Sequence, residues 1–479
     1  MKFYSTNNHN VSVSFEDALL RGLSSDYGLF TVPYGQVPIL DMDVITSMVG
    51  TSYADVAFKI LYPYLSEDFS SDELRILLAD AYNPAHISAS LQHVVGKTHL
   101  LWLTHGPTLS FKDFAARFFG RSLAHFLTKR NKKRLVVVAT SGDTGGAIAD
   151  ALLGLDRVHC VVLYPKNYVS EVQRRQMTTL GRNVIAVAVN GDFDICQALV
   201  KRILNDQDFA ENTYGDAEYI TSANSISIGR LLPQIVFPFY AYAHIDHEEN
   251  ESFVSSVPSG NFGDMMGTVL ARHMGLPIEK IVCGVNENTV FPDYLHTGNY
   301  IVKKTVASPS SAMMVSHPSN VARLFDLYGG HIGDVREGGK VVRTGVVDIQ
   351  PDMNALRRDI FSSSVSNADH FSTIKKVYDK YGIVLDPHGA VGWKSLEDYA
   401  PVHDKLAFVY ETADPAKFAP DIEKSIGITP AMPPQVLAQA MMKETILYIE
   451  SDSQRGLDGS LQMSEDQYVE LLEKISISH

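Results

Sequence analysis

Apolar residues recur along this chain at two spacings. Over 52–65 (SYADVAFKILYPYL) and 71–82 (SDELRILLADAY) they return every three or four residues, which predicts amphipathic helices. Ser14-Phe15-Glu16-Asp17 resembles a capping box leading into Ala18, Leu19 and Leu20. Elsewhere the apolar residues come in short unbroken runs, the pattern of strands covered on both faces. Such runs are His99–Leu103, Leu135–Ala139, His159–Pro165, Asn183–Val189, Phe253–Ser259 and Lys405–Tyr410. Helical patterns fill 171–180, 193–204 and 265–273. The alternation over 131–225 predicts a small parallel α/β domain. Residues 1–95 read as a mostly helical N-terminal region. The 354–380 region is helix-like, and 435–479 reads as helices completing a large domain.

The pattern changes most sharply at Gly106-Pro107-Thr108-Leu109-Ser110-Phe111-Lys112-Asp113-Phe114. A Gly/Pro loop becomes a helix, with Phe111, Phe114, Ala115 and Phe118 at helical spacing and Ser110 as an N-cap. Lys112 then falls in the first turn, where the positive end of the helix dipole opposes a cation. That field favours the neutral amine, the form that condenses with an aldehyde. A solvated lysine lying beside phenylalanines fits the same residues taken alone.

Two glycine-rich turns join strands to helices: Thr140-Ser141-Gly142-Asp143-Thr144-Gly145-Gly146 and Ser259-Gly260-Asn261-Phe262-Gly263-Asp264. Such junctions offer free backbone N–H groups and a helix dipole to an anion. The spacing is not that of a dinucleotide fingerprint. A third polar stretch, Thr221-Ser222-Ala223-Asn224-Ser225-Ile226-Ser227-Ile228-Gly229-Arg230, ends in an arginine whose planar fork suits phosphate.

Length and charge narrow the possibilities. A chain of 479 residues is long for one core. The net charge of −14 disfavours general nucleic-acid or anionic-membrane binding. The basic run Lys129–Arg134 suits a helix C-terminus and linker. Cys160, Cys196 and Cys283 are far apart and form no ligand cluster, so they read as reduced thiols of a cytoplasmic protein without a metal centre. No apolar run reaches the length of a membrane span.

The run HGPTLSFKDFAAR, His105 to Arg117, resembles the cofactor-lysine motif of the threonine synthase family, in the branch with a long N-terminal region. Asp386-Pro387-His388-Gly389-Ala390-Val391-Gly392 is also similar to a family turn. Met314 departs from the family, which has an acidic residue there.

The resemblance implies a fold type II, tryptophan synthase β-like enzyme dependent on pyridoxal 5'-phosphate. It would have two α/β domains plus the N-terminal mostly helical region. The boundaries are 1–95, then 96–130 with 226–479 as the large domain, and 131–225 as the small one. The active site is expected between the α/β domains. The resemblance implies that Lys112 carries the cofactor as a Schiff base. Gly260, Asn261, Phe262, Gly263 and Asp264 would hold the cofactor phosphate, and the Thr412 hydroxyl would meet its ring nitrogen. Thr140, Ser141, Asp143 and Thr144 would take the substrate carboxylate; Asn224, Ser225 and Arg230 belong to the segment for the substrate phosphate. Asp143 stands where related enzymes carry Asn. His388 reads as a structural turn histidine.

The implied reaction is O-phospho-L-homoserine plus water to L-threonine plus phosphate, by γ-elimination and β-addition. The implied setting is a cytoplasmic monomer or homodimer with small-molecule partners only. A related phospho-lyase, or a Ser/Thr dehydratase giving a 2-oxo acid and ammonia, is the alternative enzyme. A nucleotide-binding regulatory protein using the two glycine-rich turns is the alternative outside enzymes.

Overall fold

The computed structural model describes the chain except residues 249, 338–339, 400–404, 450–453, 456–460, 463 and 477–479. The chain divides into two compact units. The larger comprises Met1–Ala18, Leu23–Ala115 and Ser225–Pro430; the smaller comprises Leu19–Gly22, Ala116–Asn224 and Ala431–His479.

The larger unit is built on a six-stranded sheet in the order Ile360–Ser364, Ile278–Val285, Phe253–Pro258, Leu406–Glu411, Thr98–His105 and Ser88–Val95. The first five strands are mutually parallel and the last runs antiparallel. Every residue of Phe253–Pro258 and Leu406–Glu411 is buried, as expected of strands covered on both faces. Leu100, Val254, Val282, Leu385, Trp393, Ala407 and Val409 form one of the apolar clusters on this sheet. Because Phe253–Pro258, Leu406–Glu411 and Thr98–His105 are parallel neighbours, their C-terminal ends share one edge. Ligands of open parallel sheets bind at such an edge. The Gly260 turn, Thr412 and the Lys112 loop leave these three strands there.

The predicted helices 52–65 and 71–82 appear as Tyr53–Leu65 and Ser71–Ala81. Ser70 and Glu73 cap the latter reciprocally, a device worth about 1 kcal/mol. Residues 1–95 also hold strands: Phe3–Ser5 pairs with Asn8–Val13 and with Phe30–Thr31. The 354–380 stretch is not one helix. Helix Met353–Asp359 is followed by strand Ile360–Ser364, the sheet edge, and then by helix Asn367–Tyr381.

The smaller unit carries a wholly parallel five-stranded sheet, ordered Leu447–Ile449, Val184–Val189, Val158–Pro165, Arg134–Ala139 and Ile220–Ser222. The C-terminal stretch, read as helices of the large domain, belongs here instead. Leu447–Ile449 extends the sheet beside Val187–Val189, and Tyr468, Leu471 and Ile475 of helix Glu465–Ser476 bury in its core. Apolar faces go where area is available to cover them, which local periodicity does not report.

Candidate functional site

Lys112 begins the helix Lys112–Arg130, and the loop ahead of it is stitched to the chain around Thr412. The Phe111 amide donates to the Thr412 carbonyl at 2.9 Å, and the Asp414 amide to the Leu109 carbonyl at 3.0 Å. Lys417 Nζ donates to the Thr108 carbonyl at 2.7 Å. Ser110 does not cap this helix through its side chain. Its buried hydroxyl reaches no partner among the described residues. Asp113 ties the loop instead, accepting from the Thr108 amide at 2.9 Å and from the Thr108 hydroxyl at 2.5 Å. Leu109 has φ +61°, a conformation that costs a β-carbon residue about 1 kcal/mol or more. The amine of Lys112 lies 4.6 Å from the centre of the Phe111 ring.

The turn after Phe253–Pro258 packs tightly. A Cβ on Gly260 would sit 2.8 Å from the Ala312 carbonyl oxygen, so only glycine fits. Phe262 takes the left-handed conformation at φ +60° and opens the helix Gly263–His273. The amides of Asn261, Phe262 and Gly263 reach no protein acceptor among the described residues. Burial pushes the Asp264 carboxyl up to about 6, while the Met265 amide at 2.9 Å and the charge of Lys112 pull it down. Asn261 is tied to a neighbouring loop, accepting from the Ser319 amide at 3.1 Å and from Asn320 Nδ2 at 2.8 Å.

Beside Thr412 lies a buried acid network that sequence reasoning missed. His388 Nδ1 meets Asp386 Oδ1 at 2.5 Å, and the amides of His388 and Gly389 donate to the same carboxylate at 2.8 and 3.1 Å. His388 Nε2 accepts from the Ala312 amide at 3.3 Å. Burial, with the charge of Asp386, pushes the Glu411 carboxyl well above its ordinary range. Burial also pushes Asp386 up, but His388 and Glu411 outweigh it and hold it low. The two shifts run in opposite directions, up for Glu411 and down for Asp386. The Asp386–Gly392 turn was visible in the sequence with His388 as a structural residue; what was missed is its link to Glu411, the residue immediately before Thr412.

Ser225 and Arg230 also lie in the larger unit. Arg230 is buried, which pushes its guanidinium down to about 10. Ser227 Oγ is buried and has no partner among the described residues. The Ser225 and Ile226 carbonyls accept from Arg323.

The smaller unit holds the other predicted residues. Thr140 follows the strand Arg134–Ala139, and Asn224 follows the adjacent strand Ile220–Ser222; Asn224 Nδ2 donates to the Ala139 carbonyl at 3.0 Å. Thr140 Oγ1 accepts from the Gly142 and Gly145 amides at 2.9 and 2.8 Å. Ser141 and Thr144 are half-buried, and their amides reach no protein acceptor among the described residues. Gln173 Nε2 donates to Asp143 Oδ1 at 3.0 Å.

The larger unit's edge therefore offers a lysine amine, a helix N-terminus with unspent amides in a left-handed turn, and a hydroxyl residue at a strand end. That donor set fits a phosphorylated aldehyde, the amine for the aldehyde and the amides for the phosphate.

Comparison with known proteins agrees. A family profile described as pyridoxal-phosphate dependent enzyme matches residues 83–339, and one described as threonine synthase N terminus matches residues 2–82. Threonine synthase of Pseudomonas aeruginosa is 37% identical over 445 residues, 90% of this chain and 92% of that one. The crystal structure of pyridoxal-phosphate-bound threonine synthase from Brucella melitensis superposes with a TM-score of 0.86 at 29% identity, covering 100% of this chain and 99% of that one. Yeast threonine synthase gives a TM-score of 0.86 at 30% identity, covering 100% and 98%. Agreement along the whole length, N-terminal region included, places this chain in the threonine synthase family of pyridoxal-phosphate-dependent fold type II enzymes.

Proposed function

We propose that this chain converts O-phospho-L-homoserine and water to L-threonine and phosphate, acting in the cytoplasm as a monomer or homodimer. The observation that carries the reading is the delivery of Lys112, the Gly260–Asp264 turn and Thr412 to one edge by adjacent parallel strands. The curated relatives named threonine synthase favour it over the deaminating alternative.

Lys112, the amides of the Gly260–Asp264 turn and Thr412 would hold pyridoxal phosphate. When bound, it supplies the electron sink that acidifies the carbon bearing the amino group. Lys112 Nζ takes and returns protons at the substrate's carbons. Thr412 presents a neutral hydroxyl, which does not enforce a charged ring as a carboxylate would. Arg230, with Ser225 and Asn224, holds the departing phosphate, and a charge-assisted fork in a dry site stabilises the charge that builds there. The Thr140–Thr144 turn receives the substrate carboxylate on its unspent amides.

The test is one assay on purified protein. O-Phosphohomoserine is added, and phosphate, threonine and ammonia are quantified together. Equal phosphate and threonine support the reading; phosphate with ammonia and no threonine overturns it. Lys112→Ala should abolish turnover and the visible absorbance of the bound cofactor. Turnover that survives this change would remove Lys112 from its role.

A further inference from the structure

Arg323 sits on the helix Val321–Leu327 and is fully buried. Its guanidinium spends its donors on neutral oxygens. Nε and Nη2 donate to the Phe30 carbonyl at 2.9 and 2.7 Å, and Nη2 also to the Ile226 carbonyl at 2.6 Å. Nη1 donates to the Ser225 carbonyl at 3.3 Å and to Asn320 Oδ1 at 2.6 Å. No carboxylate among the described residues lies within ion-pair reach of Arg323. The nearest acid in sequence, Asp326, is taken by the Tyr4 hydroxyl at 2.6 Å and by His9 at 2.6 Å.

A buried cation without a counter-ion is unusual, because desolvation goes uncompensated by Coulomb attraction. Burial alone pushes this guanidinium down to about 9, still charged at neutral pH. Besides the Phe30 carbonyl, the groups it holds connect to the two segments assigned above to phosphate. It grips the Ser225–Ile226 backbone. Through Asn320, whose Nδ2 donates to the Asn261 carbonyl at 2.8 Å, it braces the cofactor-phosphate turn. A hydrocarbon or neutral amide at this position could brace one strand of this web, but not supply the charge.

We propose that Arg323 is a positioning residue for phosphate recognition: it fixes the Ser225–Ile226 segment and contributes a buried positive charge that is neutralised when a phosphate dianion binds beside that segment. The proposal rests on the reading that Ser225 and Arg230 face a phosphate.

The experiment compares wild-type holoenzyme with Arg323→Gln and Arg323→Lys, each saturated with cofactor as judged by its visible spectrum. Inorganic phosphate and L-homoserine are used as competing ligands. Their dissociation constants come from calorimetry as well as from inhibition of turnover. Arg323→Gln should weaken inorganic phosphate and raise KM for O-phosphohomoserine by about tenfold or more, with L-homoserine weakened less than about twofold. Arg323→Lys, which keeps the charge and loses the fork, should recover part of the phosphate affinity. Equal weakening of phosphate and L-homoserine, or no weakening of either, would overturn the proposal and leave Arg323 a packing residue. If Arg323→Gln does not fold, the lysine variant decides. Phosphate affinity kept within about threefold supports the charge role, and loss of both ligands alike overturns it. A wild-type enzyme that fails to turn over O-phosphohomoserine would sink the proposed reaction, while the calorimetric phosphate comparison would still judge Arg323.

Discussion

The two glycine-rich turns look alike in sequence, each a strand running through glycines into a helix, but they are built on opposite plans. At Gly260 the constraint is backbone against backbone: the Ala312 carbonyl and the Met313 Cα close on the turn, and left-handed Phe262 sits among amides that reach no protein acceptor among the described residues. At Gly142 the constraint is side-chain chemistry. Thr140 Oγ1 takes two amides of its own turn, and the Gln173 side chain lies where a Cβ would stand. Gly142 itself has φ +146°. The first is a rigid mould, suited to a permanent guest. The second is fixed by buried side-chain hydrogen bonds.

Substitution at the glycines separates the two plans and has the largest expected effect. Gly260→Ala forces backbone apart and should weaken pyridoxal phosphate by about 10- to 100-fold, read by titrating apoenzyme and following visible absorbance. Gly142→Ala should leave cofactor affinity unchanged and raise KM for the phosphorylated substrate by about tenfold, a cost of backbone strain. The reverse pattern would invert the assignment of the turns.

Asp264 offers an intermediate effect. Its carboxyl is raised from 3.8 to about 6, so the folded apoprotein disfavours the charge. Below the lower value both states are neutral and nothing is lost. As pH climbs through the upper value the folded state must hold an ion it would not choose. Asp264→Asn should therefore stabilise the apoprotein by on the order of 3 kcal/mol near pH 8, a gain that shrinks toward pH 4. Denaturant unfolding across that range checks the sign. A uniform change at every pH would show that the carboxyl is not shifted.

The smallest effect belongs to Glu411. Since its carboxyl is held neutral, Glu411→Gln keeps both shape and charge and should move stability at pH 7 by less than about 1 kcal/mol. A large loss would show that Glu411 carries charge in the folded protein.

Much of this was legible beforehand because it is local. The strand at Leu135–Ala139, the turn after it and the helix pattern behind Lys112 all sit within a dozen residues, where periodicity and glycine placement speak directly. What escaped notice depends on distant partners. Ser110 is a local exception: it has the chemistry of a cap, yet its hydroxyl is unpartnered among the described residues and Asp113 ties the loop through Thr108. Leu447–Ile449 is a strand only because Val187–Val189 offers it an edge. Asp386 and His388 meet within one turn, but Glu411 joins them only after the sheet has formed, and nothing in the sequence announces that link.

The stitching of the lysine loop to the segment beyond Thr412 has a consequence for how the protein is made. Lys417 grips the Thr108 carbonyl across 309 residues of chain. The strand Leu406–Glu411 that precedes it is inserted between Thr98–His105 and Phe253–Pro258. On the ribosome, the lysine emerges early and waits beside the open edge of Thr98–His105, joined only later by that of Phe253–Pro258. A pocket able to take the cofactor exists only after nearly the whole chain has been released. Truncated products therefore expose apolar strand edges rather than a partly active site, and belong to the chaperones and proteases that read such edges.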